Sequence, residues 1–110
     1  MSDTLPSPTV APAGLDQLDP LLGHRTRLGA MVLLCRNLEL SFVRLRAVLG
    51  ETDGNLGAQL RKLEEAKYVT VRKEFVQRKP VSWYALTPTG RRRLKAHLQA
   101  LGAVVRAADI

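Results

Sequence analysis

The apolar pattern of the chain changes period near residue 68, and this change limits the possible folds more than any other feature. Leu56, Leu60 and Leu63 recur at i, i+4 and i+7, the spacing that lines one face of a helix. From Tyr68 onward the pattern alternates, with Val69 and Val71 interleaved with Thr70 and Arg72, and with Phe75 and Val76 following. Alternation of this kind places every second residue on one face of a strand. A polar connection of Gln77, Arg78, Lys79 and Pro80 leads to a second run through Val81, Trp83, Tyr84 and Leu86. The two runs read as an antiparallel hairpin with a basic tip. Thr87 and Pro88 then supply a cap and a first-turn proline for a last helix, on which Leu94, Leu98, Leu101 and Val105 form one apolar stripe.

Upstream of the period change the chain reads as helical. Apolar residues recur from Leu15 to Asn37, with Pro20 and Gly23 interrupting the early part, so a short helix, a break and a longer helix are expected. Leu28, Val32 and Cys35 share a stripe on the longer one. Leu40, Phe42, Leu45, Val48 and Leu49 suit a second helix of two turns, capped by Ser41 and closed by Gly50, and Thr52 caps the third. Residues 1–14, with Pro6, Pro8 and Pro12 and little large apolar surface, read as a flexible tail. Residues 15–110 are then one domain, which is what 110 residues with 45% hydrophobic and 25% charged content can support. The fold class expected is α+β, mainly α.

Charge says where such a domain would work. The net charge is +7, but residues 61–95 alone hold eleven Lys or Arg against three Glu. A polyanion is therefore attracted to the second half of the chain. On the third helix, a rotation of about 100° per residue turns Asn55, Ala58, Arg61, Lys62 and Glu65 away from the leucines, with Gln59 at the margin. Asn, Gln, Arg and Lys are the side chains that read base edges and phosphates. Gly54 and Gly57 are costly in a helix, at roughly 1 kcal/mol each in an interior position. Close approach of a DNA backbone accounts for them, as does a turn at Gly54 with tertiary support at Gly57. At the hairpin, Arg72, Lys73, Gln77, Arg78 and Lys79 form a phosphate clamp, with Arg78 placed to enter the minor groove; the plainer account is a solvated turn.

Other chemistries find less support. One cysteine and two histidines, His24, Cys35 and His97, lie far apart in sequence and make a poor metal site. Cys35 reads as a small buried hydrophobe, with redox sensing as the alternative, and His97 as an exposed or subunit-facing residue. No nucleophile, base and orienting acid can be named, no phosphate loop follows a strand, and no cofactor is implied, so catalysis is not expected. Tyr68, Trp83 and Tyr84 read as core rather than as stacking platforms. No apolar run approaches a membrane span, and a lone cysteine suits a reducing cytoplasm.

Residues 52–69, TDGNLGAQLRKLEEAKYV, and residues 83–90, WYALTPTG, resemble the winged-helix regulators related to the MarR and ArsR families, and the likeness spans residues 15–105. It implies a winged helix-turn-helix with a two-stranded wing, a third helix that reads double-stranded DNA, and a homodimer that commonly represses transcription. Carried onto this chain, the reading surface falls on Asn55, Gly57, Ala58, Gln59 and Lys62, with Arg78 at the wing tip. Relatives often have a hydroxyl residue and a long polar chain at the positions of Gly57 and Ala58. Fewer base contacts would leave affinity here to phosphates and DNA shape. The stripe Leu94, Leu98, Leu101 and Val105, joined by Leu15, Leu18 and Leu22, is then expected to form a dimer seam and to set two reading helices on a pseudo-palindromic site. The other function open to such a domain is a protein-interaction module for an acidic partner.

Overall fold

The computed structural model describes residues 9–110. Two 3₁₀ turns, Leu15–Gln17 and Pro20–Gly23, lead into helix α1, Arg25–Arg36. A two-residue strand β1, Leu40–Ser41, precedes helix α2, Phe42–Leu49, and helix α3, Asp53–Glu65. Strands β2, Val69–Val76, and β3, Lys79–Leu86, form the hairpin, and helix α4, Pro88–Ala108, closes the chain. Of the tail expected over residues 1–14, residues 1–8 lie outside the described residues, and 9–14 contain turns and a bend without a regular element.

Side-chain caps set the helix boundaries as the sequence implies. The Ser41 hydroxyl accepts the Arg44 N–H at 3.1 Å, and Gly50, at a φ of 63°, closes α2 in the left-handed conformation that glycine adopts without a Cβ clash. The Thr52 hydroxyl accepts the Asn55 N–H at 3.1 Å and starts α3. At the far end of α3 the N–H of Lys67 meets the Glu64 carbonyl and that of Tyr68 meets the Leu63 carbonyl, both at 2.9 Å. This is the paired arrangement of a Schellman turn, here with Lys67 rather than glycine in the left-handed position at a φ of 65°.

The sheet has three antiparallel strands in the order β1-β3-β2. The hairpin register runs from Val69 opposite Leu86 to Val76 opposite Lys79. The connection expected over Gln77 to Pro80 is therefore too long: Lys79 and Pro80 belong to β3, and Gln77 and Arg78 alone reverse the chain, at φ values of 51° and 66°. Two successive positive φ values mark the turn whose twist matches that of the strands. Proline is tolerated within β3 because β1 pairs only with Trp83 and Tyr84, leaving the outer edge of β3 without a neighbouring strand at Pro80. Strand β1 has no signal in the sequence, since a two-residue strand shows no alternation and Leu40 fits the apolar pattern of the following helix.

Leu56, Leu60 and Leu63 are fully buried, as their spacing implies, and meet Leu45 of α2, Tyr68, and Val69 of β2 in one core. Burial of each such leucine contributes about 1.5–3 kcal/mol. On α1 the expected stripe is displaced: Thr26, Ala30, Met31 and Leu34 face the core, Leu28 and Cys35 are half-buried, and Val32 lies at the surface. Residues 30–35 are all apolar, so their periodicity points in no single direction. Leu22 and Leu94, expected in a dimer seam, are fully interior to this chain. His97, expected outside, is only 3% exposed, and its Nδ1 accepts the Asp19 N–H at 2.9 Å. The Tyr68 hydroxyl donates to the same Asp19 through its carboxylate, and burial together with this carboxylate pushes the phenol up to about 12.

Gly90, at the start of α4, lies so close to the chain that a Cβ there would sit 2.1 Å from the Tyr68 carbonyl oxygen, far inside contact distance. The hairpin and α4 are thus held backbone to backbone. Since a left-handed residue with a Cβ costs about 1 kcal/mol more than glycine, Lys67→Gly is expected to stabilise the fold by about that amount, read as a higher urea midpoint with unchanged slope.

Candidate nucleic-acid interface

Two ridges run along the side of α3 that faces away from the leucines. Gly57, Arg61 and Glu64 form one, and Asn55, Ala58 and Lys62 the other, each at helical spacing. Arg61 and Lys62 are exposed, and Gly57 and Ala58 are half-buried. A Cβ built on Gly54 or Gly57 would meet nothing within 4 Å. The fold itself therefore does not require glycine at either position, which removes packing within the chain as their explanation.

Asn55, expected on the outward side, and Gln59, expected at its margin, are both engaged by side chains of the chain itself. Gln59 is 8% exposed and its Oε1 accepts from the Arg27 guanidinium at 2.5 Å, while its Nε2 donates to Asn55 Oδ1 at 3.1 Å. The Asn55 Nδ2 in turn donates to Glu51 at 2.6 Å. Arg27 also donates to the Leu21 carbonyl at 2.5 Å, so the chain of bonds runs from the N-terminal 3₁₀ turn through α1 to the first turns of α3. Glu51 accepts from the Thr26 hydroxyl as well, at 2.6 Å, and this bond, with that from Asn55, holds its carboxyl below the usual carboxylate range. Both amides are therefore committed to orienting α3, and Gln59 in particular faces inward.

The wing divides its cations in the same way. Arg72, expected to clamp phosphate, instead donates to Glu39 at 2.8 and 3.2 Å and to Glu74 at 2.9 Å. Its guanidinium also lies 5.9 Å from the centre of the Trp83 ring, whose Nε1 donates to Glu74 at 2.7 Å. Hydrogen bonding to Arg72 holds the Glu39 carboxyl below its usual range. Arg72 thus fastens β2 to the segment before β1. Lys73, Gln77, Arg78 and Lys79 are exposed, and among the described residues none of their side chains is engaged by a hydrogen bond or ion pair.

An open cleft of about 400 Å³ separates α3 from the hairpin. It is lined by Phe42, Gly57, Arg61 and Glu64 on the helical side and by Val71, Lys73, Ser82 and Tyr84 on the wing. The polar side of α3 and the inner face of the hairpin consequently look onto one space, and α4 contributes nothing to its lining. The basic excess is not all here, however: Arg91, Arg92, Arg93 and Lys95 are exposed on α4, with Arg91 3.3 Å from the Cys35 sulfur. Cys35 itself is half-buried rather than interior. Among the described residues no group of three or more His, Cys, Asp or Glu could hold a metal ion, and no helix is long and apolar enough to cross a membrane.

The residues missed by sequence reasoning are the carboxylates and the cation that hold α3 and the wing in place: Glu39, Glu51 and Arg27. The pairing of Arg72 with Glu74 was legible, since residues two apart share a face of a strand. Glu39 was not, because its approach to Arg72 depends on the unforeseen β1.

This arrangement has known counterparts. The profile of the winged helix DNA-binding domain family matches residues 26–105. The structure of a transcriptional regulator homologue from Pyrococcus horikoshii is similar at 32% identity, covering 82% of this chain and 89% of that one with a TM-score of 0.76. The ytfH protein of Salmonella typhimurium is similar at 24% identity over 73% of this chain and 71% of its own, with a TM-score of 0.63. The fold is also that of the zinc-responsive MarR family member ZitR of Lactococcus lactis, at 17% identity over 76% of this chain and 57% of that one, with a TM-score of 0.57. No curated protein sequence matches the chain. With α2, α3, the wing and the open cleft between α3 and the wing all inside the matched span, the chain belongs to the winged helix DNA-binding domain family of transcriptional regulators, with a MarR member among its structural likenesses.

Proposed function

We propose that the protein is a homodimeric, sequence-selective regulator that occupies double-stranded DNA, most simply as a cytoplasmic repressor. Helix α3 enters the major groove, and the wing meets the flanking backbone or minor groove. The observation that carries this reading is the cleft between α3 and the wing, where Gly57 leaves room for a backbone and unpaired cations converge. Arg61 and Lys62 are the reading and phosphate contacts of α3, and Lys73, Arg78 and Lys79 those of the wing. Gln59, Asn55 and Arg72 act by holding these elements in position. With few side chains left to address base edges, shape and deformability carry much of the preference.

The dimer is proposed through the exposed remainder of the apolar stripe. Leu15, Leu98 and Val105 are 47%, 43% and 65% exposed, and Leu18 and Leu101 are half-buried. Leu15 begins and Leu18 ends the first 3₁₀ turn, which packs on α4. Leu98→Glu combined with Val105→Glu is expected to leave the fold intact and to convert a dimer to a monomer in sedimentation. A wild-type chain that sediments as a monomer both free and on DNA removes this part of the proposal.

A duplex titration against salt tests the main reading. Five cations per protomer on phosphates, ten in the dimer, give a slope of log affinity against log salt of about −9, from about −0.9 for each phosphate neutralised. Arg78→Ala, which removes one contact in each protomer, is expected to weaken binding to every duplex and to reduce the slope by about 2. Negligible duplex binding at low salt would point instead to an acidic protein partner.

Gly57→Ala separates function from stability. Because open space surrounds the position, the substitution is expected to stabilise α3 by about 0.5–1 kcal/mol while lowering duplex affinity. Equal affinity in the more stable variant would show that no backbone approaches there.

A further inference from the structure

Phe75 is 78% exposed, an unusual position for an aromatic side chain in a strand that could have turned it inward. The register explains which side it occupies. Phe75 pairs with Pro80, the next pair on the same face is Lys73 with Ser82, and the one after is Val71 with Tyr84. The last two pairs line the cleft toward α3. Phe75 and Pro80 therefore prolong the cleft side of the wing toward its tip, separated from the Gln77–Arg78 turn only by the Val76–Lys79 pair.

The charges on this side of the wing tip are cationic. Lys73 precedes the pair on the same face and Arg78 stands in the turn, whereas Lys79, opposite Val76, and the carboxylate Glu74 belong to the other face, where Glu74 is held by Arg72 and Trp83. An apolar ring backed by a rigid proline and flanked by cations fits a narrow groove with anionic walls. The cations meet the phosphates, and the ring meets sugars and base edges inside.

We infer that Phe75, supported by Pro80, is an apolar wedge that enters the minor groove beneath the wing and opens a base step there, so that the deformability of that step contributes to site selection. The inference rests on the duplex-binding reading above. Unstacking costs least at pyrimidine–purine steps, which are the most easily kinked. The wing therefore selects TA or CA steps at a fixed distance from the positions read by α3, without a hydrogen bond to either base.

The test compares the full-length wild type with Phe75→Ala and Phe75→Leu. Each is used to select from random-sequence duplexes, and 2-aminopurine is then placed at the flank of a selected site. The wild type is expected to enrich a TA or CA step at the flank and to brighten the reporter. Phe75→Ala should keep the central preference, lose the flanking one, leave the reporter dark and bind about tenfold more weakly, while melting at the same temperature because the ring lies outside the core. Phe75→Leu, which keeps an apolar wedge, should retain part of both signals. The inference fails if the wild type binds a defined duplex with no flanking step and no brightening, or if Phe75→Ala behaves as the wild type in both. A wild type that captures no duplex overturns the functional reading and this inference together.

Discussion

A hairpin can work as a wing only if it leaves the helical body at a fixed angle, and in this protein the angle is set where α3, β2 and α4 meet. The Tyr68 carbonyl accepts the Thr87 N–H at 3.0 Å, the Thr87 hydroxyl donates to the Lys67 carbonyl at 2.7 Å, and the same hydroxyl accepts the Gly90 N–H at 2.8 Å. One threonine thus caps α4 and bridges to the turn that ends α3. The close passage of Gly90 over Tyr68 leaves no room for the two segments to slide. Both strands of the wing are anchored at this point, one entering from α3 and the other leaving into α4, and the cleft keeps its width because its two walls share this root.

A second tier of contacts ties the N-terminal turns to the reading elements. Arg27 bridges the Leu21 carbonyl and Gln59 of α3, and Asp19 joins His97 of α4 to Tyr68 at the start of the hairpin. Buried polar groups need partners, and removal of one from such a pair costs about 1–3 kcal/mol. Among the described residues no buried side-chain nitrogen or oxygen lacks a partner. The polar residues beneath α3 and the wing are therefore part of the scaffold, and they link the N-terminal turns to the orientation of α3.

Much of this was legible in the residues. The leucines of α3, the alternation of β2 and the caps at Ser41, Thr52 and Thr87 rest on local periodicity and short-range hydrogen bonding, and those rules operate within a few residues. The failures share a different cause. Whether Gln59 turns out or in depends on Arg27, which is 32 residues away, and whether Arg72 is available depends on Glu39, 33 residues away. The burial of His97 is hidden in the same way, because nothing near it in sequence reveals Asp19 as its partner. On α1 an unbroken apolar run hid the direction of the core, and at the wing tip a four-residue polar stretch concealed a turn of two. Residue type identified the class of surface, and long-range pairing decided which members of it are left to act.

The tightness of that turn constrains how the wing could vary. Because Gln77 and Arg78 take up the whole reversal, the strands have no slack in which to absorb an extra residue. One residue added to each strand would carry the tip to the opposite face, aiming its aromatic ring at solvent and its carboxylate at the duplex. A longer reach along DNA is compatible with the same chemistry only when each strand grows by a pair of residues at a time, so wing length in such proteins should come in discrete steps.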